Sequence, residues 1–288
     1  MPNETDTNVV ASFELPGDSV FPESVGVDPA SGDAFVGSLA DGALYRLRRA
    51  GEVELWSPAG ADGRSSVAGV KLDSEGRLWA AGGYDGTLSV YDLASRGLIA
   101  RLAVDERPSC VNDIAFGPDG EAYVTDSFVP LLFRVAGEPL AIEPWIDLGE
   151  QGVPWGEGLN FNGIVLAPDR GHLVICQTNL GGLWQVSIED REVSELAMHG
   201  GPLQHCDGLA LAGNTLYVAV NALNSVAVVE LDGGVARIQL MMRSGEFAFP
   251  TAVAVRGEQL LVVNSQLDRM GATPRLPFTV VAIDQPAG

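Results

Sequence analysis

One phrase recurs six times along this chain, and its period rules out most folds. The copies begin ESVGVDP at Glu23, AGVKLD at Ala68, NDIAFGP at Asn112, NGIVLAP at Asn162, DGLALAG at Asp207 and TAVAVRG at Thr251. Successive copies are offset by 45, 44, 50, 45 and 44 residues. A repeat of that length marks stacked or radial units, each needing its neighbours to cover its apolar faces. Residues 1–288 are therefore read as a single domain.

Each copy continues in the same way. A Gly-containing turn follows (at Gly32, Gly76, Gly120, Gly171, Gly213 and Gly257), then a second apolar segment such as RLWAAG or TLYVAV, then a third such as TLSVYDL or SVAVVEL. Gly, Asp and Asn at the turns suit β-hairpins, and the Val, Leu, Tyr and Trp content suits half-buried strands. Five units add a fourth strand: EVELWS, LIARLA, AIEPWID, EVSELAM and VARIQLM. The sixth ends after FTVVAID, while VVASFEL near the N-terminus has no unit of its own. Lending that strand to the last unit closes a ring and removes open sheet edges. The expectation is an all-β, six-bladed β-propeller with four antiparallel strands per blade, closed by the N-terminal strand.

With 17 Lys and Arg against 38 Asp and Glu, the net charge is −21. Such a chain repels phosphate backbones and anionic lipid, so neither nucleic acid nor membrane is an expected partner. The start, MPNETDTNVV, has no basic or apolar leader character, and the three cysteines (Cys110, Cys176, Cys206) form no CxxC pair. Reduced thiols in a cytoplasmic protein that can remain a monomer are expected.

The first position of the repeat varies where its apolar part does not: Glu23, Ala68, Asn112, Asn162, Asp207 and Thr251. Inner strands line a propeller's channel, so these side chains should ring one mouth. Two carboxylates and two amides converging with nothing basic opposite would repel one another, and a divalent cation relieves that. All-oxygen ligands favour Ca²⁺, with Mg²⁺ or Mn²⁺ as alternatives and Zn²⁺ also accommodated. Strand alternation puts Phe21, Ser66, Cys110, Asn160, His205 and Phe249 in the layer above. The 50-residue interval implies an insertion at GVPWGEGLN, so Trp155 and Glu157 are expected to overhang the mouth. Of the layer, Phe21, Cys110, Asn160, His205 and Phe249 join these two as the expected substrate contacts. Cys110 with His205 could be a nucleophilic pair, but they belong to different blades.

The segments FPESVGVDP, VNDIAFGPDGEAYVTDS, FNGIVLAPD and CDGLALAGNTLYVA, in this order and spacing, resemble the gluconolactonase, senescence marker protein (regucalcin) and luciferin-regenerating enzyme family. The resemblance runs through essentially the whole chain. It implies one divalent metal on Glu23, Asn162 and Asp207, with Asn112 facing the water or the substrate. It also implies a departure: sugar-lactone members usually carry Arg where Cys110 stands. A metal-dependent hydrolase of the lactonase or esterase type follows, its small cyclic ester less polar than a sugar lactone. Asp207 is its expected general base and Asn112 its orienting group. The alternatives are a non-hydrolytic propeller enzyme (an isomerase, cyclase or condensing enzyme) and a non-catalytic Ca²⁺-binding propeller. No P-loop, HExxH or GxSxG motif competes with these readings.

Overall fold

A computed structural model of the chain describes residues 2–105 and 107–286. It is a six-bladed β-propeller built on four strands per blade that run outward in antiparallel order, with two more strands added to the sheet of one blade. The inner strands are Pro22–Val27, Gly69–Leu72, Val111–Phe116, Phe161–Leu166, Cys206–Ala212 and Pro250–Arg256. Each touches the inner strand of the next blade, and the sixth touches the first, so the ring is closed. In blade 6 the outer strand is Val9–Leu15, hydrogen-bonded to Phe278–Asp284 as the unpaired VVASFEL segment required. Phe13 and Leu15 carry it into a core shared by blades 6 and 1.

Six hydrophobic clusters lie between and within blades rather than forming one central core. This is what the repeat demands: each sheet has two apolar faces and covers them against two neighbours. The channel ends of the sheets come very close. A Cβ on Gly69 would lie 2.0 Å from the Asn112 carbonyl, and one on Gly163 would lie 2.4 Å from that of Asp207. The Asn-Gly at 162–163 is therefore a contact between blades and not a turn.

Two details differ from expectation. The predicted fourth strand EVSELAM is split: Val193–Glu195 stays in blade 4, while Ala197–His199 pairs in parallel with Val235–Arg237 of blade 5. A further strand, Asn3–Asp6, pairs in parallel along the same outer strand at Leu240–Arg243. Blade 5 thus has six strands, and both additions cover what would otherwise be its open edge. Among the described residues no helix is long and apolar enough to cross a membrane.

Phe13→Ala empties a site that is 4% exposed at the ring closure and should lower unfolding stability by about 3–5 kcal/mol. Deleting residues 2–6, whose four strand residues are all exposed, should shift the urea midpoint far less. Urea unfolding followed by tryptophan fluorescence compares the two.

Candidate active site at the channel mouth

The inner strands do not begin as regular strands. In five blades the register slips by one residue at the channel end, between Pro22 and Ser24, Val111 and Ile114, Phe161 and Ile164, Cys206 and Leu209, and Pro250 and Val253. The extra residue is a β-bulge, a device that re-aims a side chain. Each slip contains or adjoins the ring residue: Glu23, Asn112, Asn162, Asp207 and Thr251. The blade without a slip carries Ala68.

The ring residues are all buried and gather at one end of the channel. Hydroxyls hold the amides: Asn112 Nδ2 donates to Ser127 Oγ (2.9 Å) and Asn162 Nδ2 to Thr178 Oγ1 (3.2 Å). Asp207 Oδ2 accepts from Asn221 Nδ2 at 3.0 Å, while its Oδ1 is buried without a hydrogen-bond partner. Thr251 Oγ1 donates to the Glu23 carbonyl at 2.6 Å and ties blade 6 to blade 1.

The ring is not free of basic groups, contrary to the sequence reading. Lys71 rises in the channel beneath it, but Asp113 engages the ammonium at 3.0 Å. One lysine faces three carboxylates, and the excess of negative charge remains. Burial pushes the Glu23 carboxyl well above its usual range, with Asp207 and then Asp113 adding to the rise and Lys71 opposing it. Asp207 is pushed up to about 7, chiefly by burial; Asp113 adds to it, and the amides of Asn221 and Asn162 work against it. A buried acid with an unpartnered oxygen, beside a second acid and amide oxygens, suits a hard cation. Glu23 and Asp207, with the ring amides Asn112 and Asn162, make up that oxygen set.

Above the ring lies a cavity of about 510 Å³, a size suited to a small molecule. Its upper parts come from loops at this end of each blade, both those joining second and third strands and those between blades. Glu157, Cys110, His205 and Phe249 line it, as expected. Phe21, Asn160 and Trp155 do not. Phe21, His205 and Phe249 have left-handed backbones (φ 41°, 67° and 53°), so alternation along a strand does not govern where they point. Phe21 turns into the core, its ring 4.9 Å from that of Phe278. Asn160 is buried and clamps the insertion: its Oδ1 accepts from the Gly156 amide (3.0 Å) and its Nδ2 donates to the Gly156 and Gly158 carbonyls. Trp155 packs on Phe161 at the loop's outer side, 5.6 Å between ring centroids.

Sequence reasoning missed Leu39, Tyr84, Leu159, Asn221 and, from one turn of blade 6, Leu267, Asp268 and Met270, all of which line the cavity. They lie outside the inner strands, where no repeat column reports on them. The long connection between QLLVVN and FTVVAID was the one available signal for the last three. Cys110 is no candidate thiolate, because burial, then Asp126 and Glu23, push its thiol far above the ordinary range. Cys176 and Cys206 are buried free thiols, Cys176 donating to the Asp207 carbonyl at 2.9 Å. A larger surface cleft, about 760 Å³, lies over blades 2 and 3, but its Arg77 and Arg134 are already ion-paired.

No family model matches the sequence, and no curated protein matches it. Solved structures do. Regucalcin of Agrobacterium tumefaciens, a calcium-binding protein, is 18% identical over 99% of this chain and 98% of its own, with a TM-score of 0.70. The Malassezia sympodialis allergen Mala s 1 is 16% identical over 95% of this chain and 96% of its own (TM-score 0.71). Virginiamycin B lyase of Staphylococcus aureus is 14% identical over 88% of this chain and 80% of its own (TM-score 0.66). At such identities the likeness is one of fold. That propeller carries a lyase in one neighbour and calcium binding in another.

The raised carboxyls give a pH test. With folded pKa values above those of the unfolded chain, these two groups contribute most stability to the metal-free protein where both states are protonated. It loses stability as pH rises from about 4 to about 7, the folded value of Asp207. Scanning calorimetry in chelator should show Tm falling through that window. Asp207→Asn should flatten the fall, and saturating Ca²⁺ should reverse it.

Proposed function

We propose that this protein is a divalent-metal-dependent hydrolase of the lactonase type, acting on a small and largely apolar cyclic ester. The carrying observation is the buried Glu23 and Asp207 pair, Asp207 Oδ1 unpartnered, at the floor of the cavity. Glu23, Asn162 and Asp207 would hold the cation. When bound, it supplies electrophilic assistance to an ester carbonyl.

The chain's own residues supply the rest. Asp207 would be the general base, since a carboxylate can ligate with one oxygen and accept a proton from water on the other. Asn221 donates to Oδ2 of that carboxylate, which fixes its orientation. Asn112, its Nδ2 held by Ser127, has its amide oxygen free to orient the attacking water. The apolar wall excludes bulk water and suits the alkyl part of an ester better than a sugar's hydroxyls. Calcium is the preferred ion because every donor is oxygen; the calcium-binding regucalcin with this fold is consistent with that.

A non-hydrolytic reaction is the second reading. It is favoured by Cys110, a buried protonated thiol where the resembling sugar-lactone enzymes carry Arg. The products separate the two, because only hydrolysis yields a ring-opened hydroxy acid and one proton per turnover.

In a lactone and aryl-ester screen with and without chelator, turnover should be chelator-sensitive. Asp207→Asn and Glu23→Gln should each lower kcat/KM by roughly 10²-fold or more. Retained turnover in both variants would sink the mechanism.

A further inference from the structure

The cavity walls have a chemistry of their own, separate from the ring. Leu39, Leu159, Phe249, Leu267 and Met270 make them apolar, and Tyr84 adds an aromatic face that is 58% exposed. Glu157 and Asp268 stand among these groups, both exposed, and neither forms an ion pair among the described residues. No Lys or Arg side chain lines the cavity, His205 is its one basic lining residue, and Arg269, the chain neighbour of Asp268, is not part of its wall. The lysine beneath the ring is held by Asp113. At the floor Asp207 Oδ1, in a residue 4% exposed, has no partner. Once a divalent ion balances Glu23 and Asp207, the charge left in the cavity is that of Glu157 and Asp268.

We infer that the mouth selects organic cations, so that the substrate class is a small ester whose apolar body carries an ammonium group. This rests on the lactonase reading for the word ester, but not for the cation. Apolar walls remove water from the methyl or methylene groups around the nitrogen, and aromatic faces attract its charge. The two wall carboxylates add attraction at a range where a neutral group of the same shape gains nothing, and they repel an anion. They come from different blades, Glu157 from the insertion before blade 4 and Asp268 from the turn between the second and third strands of blade 6. A bound cation would therefore meet charge from two loops at once.

The test reads binding alone, so that it stands or falls apart from hydrolysis. The probes are the carbamates of choline and of its uncharged isostere 3,3-dimethylbutanol, which share size and shape and resist hydrolysis. Calorimetric titration at low ionic strength and saturating Ca²⁺ should give the choline carbamate roughly tenfold tighter binding or more, narrowing with added salt. In the Glu157→Gln, Asp268→Asn double variant the ratio should fall below about twofold, with Tm reporting that the fold is kept. If that variant is unfolded, each single variant is read by the same ratio. Equal affinities, binding of neither probe, or a ratio unchanged in the variants would overturn the inference. A choline preference without any ester turnover would leave it standing and remove the hydrolase reading instead.

Discussion

Five of the six inner strands hold one residue more than the strands they pair with, and the remainder of the site depends on how that surplus is satisfied. A bulge leaves backbone groups out of the ladder, and buried backbone groups must be paired. Here the partners come from the preceding blade. Thr125 and Ser127 donate to the carbonyls of Asn162 and Phe161, both at 2.6 Å. Thr178 donates to Cys206 at 2.7 Å, and Cys176 to Asp207. Ser127 and Thr178 also accept from the ring amides of their own blades. One hydroxyl thus fixes the spacing of two blades and the direction of a ring side chain. The wheel and the site are held by the same hydrogen bonds.

That economy has an electrostatic counterpart. A propeller axis is a poor place for charge, since the surrounding sheets exclude water, and an ionised carboxylate there is costly unless compensated. The chain places Glu23, Asp207 and Asp113 in or just below it, with only Lys71 of opposite sign. Asp113 has a counter-ion in the lysine and the Ile164 amide on its Oδ2. The two ring acids form no ion pair among the described residues, and burial raises the pKa of each. An apolar residue at either position would pack more stably. Buried acids with perturbed pKa values in a cleft mark a candidate functional site.

The wheel was legible because it follows from periodicity, which single-chain sequence carries well. The ring was legible for a related reason: within a column whose apolar members are constrained, a polar position that varies has no packing explanation. The layer above it was not. Alternation holds only where the backbone is extended, and Phe21, His205 and Phe249 are left-handed at the residue before their strands. Phe21 consequently serves the core rather than the cavity. Asn160 looked like a pocket amide but spends its hydrogen bonds on the insertion loop. Lys71 and Asp113 were hidden in plain sight, since a lysine in an otherwise apolar strand gives no hint that its partner lies on the next blade. The split of EVSELAM followed from an edge strand in blade 5 that only the assembled wheel presents.

The two places where the repeat is broken are also the places that build much of the cavity's upper wall. One is the insertion of GVPWGEGLN before blade 4, which supplies Glu157 and Leu159. The other is the extended link through residues 265–277 of blade 6, which supplies Leu267, Asp268 and Met270. Neither segment carries the fold, because each joins strands whose pairing is complete without it, so each is free to vary in length and chemistry. The insertion is nonetheless rigidly tethered, by Asn160 on its inner side and by Gln177 Nε2 on the Pro154 carbonyl at 2.7 Å. A loop clamped in this way presents Glu157 at a defined place while leaving the side chain itself in water. The strands therefore hold the ring residues at fixed spacing, and two departures from the repeat shape the cavity above them.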